Sequence, residues 1–262
     1  MKNLLVVECG TTNICNARCL FCPHYKFEKF GTMSDELYEK IINQASKLPN
    51  LRTFIPMLTG EPFCDKQFLN RLRLARERMP LVSLDFYTNG SLLTREIISE
   101  LKSIPNVHVN VSLNAATQET RKQIMGLDDY RDVLKSLEYM SEAGLSYKTS
   151  MVGYPEIKLD EIKTFSHAGG TVIRYQSWCG EQYPYTRNRP TRCGRVMNHL
   201  TIFYTGKVHL CCFDPFGKVV FGDLNNQTIE EVWMGIKKKE YQSLHSQWKG
   251  AECELCCSCT EG

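Results

Sequence analysis

The stretch CNARCLFCPHYKF, residues 15–27, decides how the rest of the chain is read. It carries Cys15, Cys19 and Cys22 in a C-x-x-x-C-x-x-C spacing. Thiolates are ligands for zinc and for iron–sulfur clusters. Three of them on one short loop can close on a metal without help from elsewhere. They also leave a four-coordinate metal one ligand short, and an open position is where a substrate or cofactor coordinates. The alternative is a structural zinc site with a distant fourth ligand, although zinc loops usually use C-x-x-C pairs.

Outward from this loop the chain reads as repeated strand–helix units. An apolar run at 4–8 is the first strand. Ser34, followed by Asp35 and Glu36, caps a helix in which Leu37, Ile41, Ile42, Ala45 and Leu48 recur at helical spacing. Strands are expected over 54–58, 84–87, 107–113, 147–152 and 172–175, and helices over 68–78, 94–102, 118–125, 130–142 and 159–167. About six such units argue for a parallel sheet with right-handed crossovers, an α/β partial (β/α)6 TIM-like barrel. Residues 1–176 form this core. The stretch SWCGEQYPYTRNRPTR, 177–192, reads as a linker over the barrel mouth. Residues 193–262 read as a small β-hairpin-plus-helix domain, with strands at 200–204 and 207–211 and a capping box from Thr228 and Glu231.

Composition narrows the class. The 262 residues are 42% apolar and 23% charged, as in an ordinary globular protein. A net charge of +3 argues against a nucleic-acid partner held through phosphates, and the lysine run at 237–239 reads as a solvated helix face. The N-terminal apolar run is too short for a signal peptide or a membrane span, which places the protein in the cytoplasm. Thirteen cysteines are then read as metal ligands rather than disulfides. They gather at 15–22 and 253–259, so two metal sites are expected. Cys9 and Cys64 read as buried apolar residues, and Cys179 as a thiol in the mouth linker that faces the substrate.

Unusual polar residues fall at strand ends, where ligand sites of parallel α/β sheets collect. Thr59, Gly60, Glu61 and Pro62 follow the second strand, and Thr88, Asn89 and Gly90 the third. Ser112 and Asn114 close the fourth, and Arg174, Tyr175 and Gln176 the sixth. Each alone is explained by a turn or a solvated end. Their recurrence on one face, beside a thiolate triad, points to a site.

The triad resembles the signature of the radical SAM enzymes, with Phe21 as the aromatic before the third cysteine. That resemblance implies that Cys15, Cys19 and Cys22 hold a 4Fe-4S cluster whose fourth iron chelates S-adenosylmethionine (SAM). It implies that Gly60 and Glu61 approach the SAM amino group, that Ser112 and Asn114 meet its carboxylate or ribose, and that Asn89 is a companion at the same site. Cys193, Gly206 and Cys211, followed by the C-x-x-C of Cys256 and Cys259, resemble a SPASM domain in its shortened, twitch form. The resemblance there implies one auxiliary 4Fe-4S cluster. Cys253 with Cys256 has the same spacing, and Cys212 and Cys257 adjoin the expected ligands, so the ligand set stays open. A zinc knuckle made from the same thiolates is the structural alternative.

The chemistry so implied is reductive cleavage of SAM by an electron from a flavodoxin- or ferredoxin-type donor. The resulting 5′-deoxyadenosyl radical takes a hydrogen atom from substrate. A lone auxiliary cluster as second electron acceptor would make the outcome a two-electron oxidation of a small hydroxylated metabolite, with Arg174 and Tyr175 the residues nearest the chemistry. Alternatives are crosslinking or epimerisation of a peptide, and a non-catalytic iron–sulfur or zinc protein. The first strand begins within a few residues of the start, which argues against a leader-peptide recognition domain.

Overall fold

The computed structural model describes residues 1, 3–187 and 190–261. Residues 188 and 189 of the expected linker and the chain ends at 2 and 262 lie outside the described residues. Six parallel strands carry the first part of the chain: β1 (Val6–Cys9), β2 (Thr53–Ile55), β3 (Ser83–Thr88), β4 (Val107–Ser112), β5 (Tyr147–Gly153) and β6 (Thr171–Arg174). The helices between them are α1 (Asp35–Ala45), α2 (Phe68–Arg78), α3 (Arg95–Ser103), α4 (Gln118–Met125), α5 (Tyr130–Glu142) and α6 (Leu159–His167). Periodicity located α2, α4, α5 and α6 to the residue, and strand boundaries to within a few.

Alternation sorts each strand between two faces. Val7, Cys9, Phe54, Leu84, Phe86, Val109, Val111 and Met151 are buried in the main core, where the strands meet the helices. The opposite face of the same strands presents Glu8, Asp85, Tyr87, Asn110 and Ser112. Helix α1 starts where Ser34 accepts the Leu37 N–H at 3.2 Å. It buries Tyr38, Ile41, Ile42 and Ala45 on one side.

The last third continues the sheet instead of standing apart from it. After α7 (Gly194–Asn198), β7 (His199–Ile202) pairs parallel with β1, from Val6 opposite His199 to Cys9 opposite Ile202. β8 (Lys207–His209) and β9 (Val220–Asp223) follow antiparallel, the latter not anticipated from the sequence. The order β6-β5-β4-β3-β2-β1-β7-β8-β9 makes an open barrel with two free edges. The expected capping box opens α8 (Ile229–Met234), and α9 (Ile236–Ser246) follows it directly. A second small core, containing Val196, Leu210, Val219 and Tyr241, also buries Cys211, Cys253 and Cys256. Among the described residues no helix is long and apolar enough to cross a membrane.

Candidate active site

The cysteine loop leaves β1 at the carboxyl end of the sheet and is held from three sides. Asn13, fully buried, accepts the Gly31 N–H at 2.8 Å and donates to the Lys29 carbonyl at 2.8 Å. His24 meets the Asn13 carbonyl at 2.7 Å. The N–H groups of Arg18 and Leu20 donate to the last carbonyls of α4, Met125 and Ile124, at 2.8 and 2.9 Å. Phe27 stacks on Phe203 with ring centroids 5.9 Å apart, joining the loop to the residues just after β7.

Within this frame the three thiols share one neighbourhood. Burial pushes Cys15 up to about 12, with the charges of Glu61, Cys22 and Cys64 adding to it. Burial and the charges of Cys22 and Cys15 raise Cys19 well above the usual thiol range. Among the described residues, no three His, Cys, Asp or Glu side chains converge closely enough for a single metal ion. The three thiols are near enough for their charges to act on one another. Stripping protons from buried, mutually repelling thiols requires a strongly positive partner, which a cluster's iron supplies. The donor set therefore fits the group.

The strand-end residues form a web beneath the loop. Gly60 has φ +113°, and a Cβ there would lie 2.7 Å from the Ile14 carbonyl oxygen. Its missing side chain lets the β2 loop rest on the cysteine loop, where the Glu61 N–H donates to Ile14 O at 2.9 Å. The Glu61 carboxylate accepts from Thr88 Oγ1 and the Asn89 N–H, both at 2.7 Å. Burial pushes Glu61 up to about 7, against the downward pull of the bonds from Asn89 and Thr88. Asn89 Nδ2 in turn donates to Asn16 Oδ1 at 2.7 Å, back in the cysteine loop. Asn114 sits at φ +55° and accepts the Val152 N–H at 2.9 Å while donating to the Ser112 carbonyl at 3.3 Å. It thus fastens the end of β4 to β5, with Ser112 half-buried beside it.

Arg174 and Tyr175 are placed differently from this web. Register sets Arg174 opposite Gly153 and Val172 opposite Met151, so Arg174 lies on the strand face that Met151 shares with the core, and it is exposed. Tyr175 joins a tyrosine group, 5.1 Å from the Tyr154 ring and 4.9 Å from Tyr183; Tyr154 reaches Phe21 at 6.1 Å.

The expected mouth linker is tied to the cysteine loop. Trp178 Nε1 donates to the Phe21 carbonyl at 3.1 Å, and Lys26 pairs with Glu181 at 3.1 Å. Its Cys179 does not face the barrel. It lines one cavity with Cys193, Cys211, Cys256 and Cys259, the cysteines that carry the resemblance to a SPASM domain. Cys253 instead contacts Cys256 and His245, and Cys257 lies 3.7 Å from Ser258 Oγ. Cys212 turns towards Glu8. Cys64, expected in the apolar core, is half-buried near Glu61, whose charge adds to the rise that burial causes in its thiol pKa.

Sequence reasoning passed over Glu8. Its side chain is 5% exposed on the inner face of β1, accepting from Thr201 Oγ1 at 2.6 Å, with His199 Nδ1 at 3.6 Å. Burial pushes its pKa up, but the nearby His199, the hydrogen bond from Thr201 and the charge of Arg195 outweigh it and hold Glu8 below the usual range. Arg195 also lines the auxiliary cavity, so Glu8, Cys212 and Arg195 connect the sheet's inner face to that centre. The available signal was a lone carboxylate in the apolar run VVEC.

An open parallel barrel, with a thiolate triad above its strand ends and a second thiol set on its C-terminal extension, defines a class of metal-cluster enzymes. Residues 10–168 match the radical SAM superfamily model and residues 193–260 the SPASM iron–sulfur cluster-binding domain, so the chain belongs to the radical SAM superfamily. Its family cofactors are SAM, a SAM-binding 4Fe-4S cluster and auxiliary iron–sulfur binding in the SPASM unit. Along 98% of its length it is 22% identical to the S-adenosyl-L-methionine-dependent 2-deoxy-scyllo-inosamine dehydrogenase of Niallia circulans, covering 93% of that protein. It is 31% identical to a probable GTP 3′,8-cyclase of Pyrococcus abyssi over 62% of this chain and 51% of the cyclase. Its fold matches the crystal structure of BtrN in complex with AdoMet and 2-DOIA (TM-score 0.66, 19% identity, 100% of this chain and 95% of that one). It also matches Streptococcus suis SuiB bound to its precursor peptide SuiA (TM-score 0.76, 15% identity, 99% of this chain and 70% of that one).

One substitution tests the web directly. Gly60→Ala is expected to cost about 1–3 kcal/mol, because alanine must hold a left-handed φ while its methyl displaces the cysteine loop. SAM affinity should fall by about tenfold or more, as 1.4 kcal/mol is a factor of ten. Titration of SAM into anaerobically reconstituted protein measures it, and unchanged affinity would show that the two loops do not depend on this contact.

Proposed function

We propose that this radical SAM enzyme oxidises a small, amino-bearing hydroxylated metabolite by two electrons, from a secondary alcohol to a ketone. The observation that carries the reading is Glu8, a buried carboxylate held ionised on the sheet's inner face and linked through Arg195 to the second thiol set. Its support from relatives is the full-length likeness to a dehydrogenase whose name specifies an inosamine.

Cys15, Cys19 and Cys22 would hold the SAM-binding cluster, and Cys193, Cys211, Cys256 and Cys259 a single auxiliary one. When bound and reduced by a low-potential flavodoxin- or ferredoxin-type donor, the first cluster supplies the electron that splits SAM into methionine and a 5′-deoxyadenosyl radical. The chain's own residues do the rest. Gly60, Glu61 and Asn89 seat the loop against the strand ends, so that SAM meets a fixed surface. Ser112 contacts SAM, with Asn114 positioning it. Glu8 receives the substrate's ammonium group, and charge-assisted hydrogen bonding orients the ring. Tyr154, Tyr175 and Tyr183, with Trp178, keep water from the radical. The auxiliary centre would take the electron left on the substrate carbon, and the hydroxyl proton would leave to solvent. Tyr175 is unsuited to that proton, because burial and the neighbouring tyrosines raise its pKa and keep it protonated. Arg174 is unsuited as a permanent cation on the other face.

The test is turnover of 2-deoxy-scyllo-inosamine and related aminocyclitols, each deuterated at one carbinol carbon. Deuterium in 5′-deoxyadenosine, with one SAM consumed per ketone formed, is the expected result. Recovery of an unoxidised or epimerised product from every aminocyclitol that supports SAM cleavage would overturn the proposal.

A further inference from the structure

We infer that the auxiliary centre has five ligand-competent thiols for four positions, and that Cys179 is the reserve ligand. The inference rests on the reading above that the C-terminal thiols hold a cluster. Cys179 lies fourteen residues before the first of the four assigned cysteines, outside the matched SPASM residues 193–260. Its side chain nevertheless lines the same cavity as Cys211 and Cys259 and is only 7% exposed there.

The backbone around it is built to hold it there. Trp178, Cys179 and Gly180 are all left-handed, with φ +52°, +52° and +87°. Two consecutive non-glycine residues in that region persist only where the surroundings impose it. The surroundings are the C-terminal tail. Ser177 N–H donates to Thr260 Oγ1 at 3.1 Å and Ser177 Oγ to the Ser258 carbonyl at 2.8 Å. Thr260 Oγ1 donates to Gln176 Oε1 at 2.6 Å, and Gln176 Nε2 to Glu261 Oε1 at 2.6 Å. The Arg187 N–H donates to the Cys257 carbonyl at 2.6 Å. On the other side, Trp178 packs on Phe213, two residues past Cys211, at 5.3 Å. Cys179 is therefore clamped between the two chain segments that carry its thiol neighbours. A thiol with only an apolar packing role needs no such lacing.

A reserve ligand makes the centre tolerant of losing one neighbour. When Cys259 or Cys211 is removed, the Cys179 thiol gives up its proton to solvent and its thiolate bonds the vacated iron, with no change in oxidation state. The test uses the full chain with Cys15, Cys19 and Cys22 replaced by alanine, so that only C-terminal iron is counted. Iron, acid-labile sulfide and the EPR spectrum of the dithionite-reduced protein are the readouts. In that background about four irons per chain are expected. Cys259→Ala should keep about four, with an altered EPR spectrum, and Cys179→Ala should keep about four with the spectrum unchanged. Cys179→Ala with Cys259→Ala should lose the cluster. Cys211→Ala, alone and with Cys179→Ala, gives a second pair should the Cys259 variants prove insoluble. Loss of iron in the Cys259→Ala and Cys211→Ala single variants, or its retention in the doubles, overturns the reserve-ligand role while leaving the cluster in place. Absence of iron from the background protein overturns the cluster reading itself, and this inference with it.

Discussion

Replacing Cys15, Cys19 and Cys22 together with alanine is expected to abolish 5′-deoxyadenosine formation while the C-terminal iron stays bound. The two thiol sets sit on separate supports. The triad hangs on a loop braced by Asn13, by the end of α4 and by the Gly60–Ile14 contact. The second set belongs to a core of its own, built from Val196, Leu210, Val219 and Tyr241. Losing the first should therefore not unfold the second. Iron should drop from about eight to about four per chain, with sulfide in step. No electron can then reach the sulfonium, and the loss of cleavage should be complete rather than partial. Residual 5′-deoxyadenosine above an enzyme-free control would place SAM cleavage somewhere other than the triad.

Arg121→Met is expected to destabilise the fold by about 3–5 kcal/mol, the usual consequence of removing one partner from a buried charged network. The Arg121 side chain is 0% exposed. Its Nε pairs with Asp129 at 2.6 Å, Nη1 donates to the Leu113 carbonyl at 2.9 Å, and Nη2 to the Asn89 carbonyl at 2.8 Å. One side chain of α4 thereby fixes the loops after β3 and β4, while the last turn of α4 carries the cysteine loop. Its loss strands two buried carbonyls and a carboxylate at once. Arg121→Lys should recover less than half of the deficit, since a single ammonium cannot span three acceptors set around a planar fork. Urea unfolding of the three proteins gives the comparison. A methionine variant within about 1 kcal/mol of wild type would mean the loops are held by other contacts.

How much of this was readable beforehand differs by element. Strongly periodic helices such as α2 and α5 were placed to the residue, because an amphipathic stripe is a local property of the chain. The short strand β9 escaped: its residues Val220 to Asp223 have no alternation of burial, all four being half-buried. Among site residues, Gly60 was expected to let the backbone approach SAM, and the structure shows that its close neighbour is the backbone of Asn13 and Ile14. Arg121 and Glu8 carried too little local signal, a basic residue in a helix and a carboxylate in a strand being ordinary until their partners are known. Cys179 was assigned to the substrate side because it sits in a polar, proline-bearing stretch, and no spacing rule connects it to cysteines 32 and 80 residues further on, Cys211 and Cys259.

The amino-acid sequence alone determined the cysteine triad's spacing and the strand–helix rhythm, since each depends on a few neighbouring residues, whereas the C-terminal cysteines were grouped only through their resemblance to a SPASM domain. Only the tertiary structure decided that β7 joins the barrel sheet beside β1 and that Glu8 and Arg195 meet Cys212. It alone gathered five cysteines rather than four around one cavity. Those facts depend on where distant segments pack, and packing is settled by burial and hydrogen bonding summed over the whole chain, which no local pattern encodes.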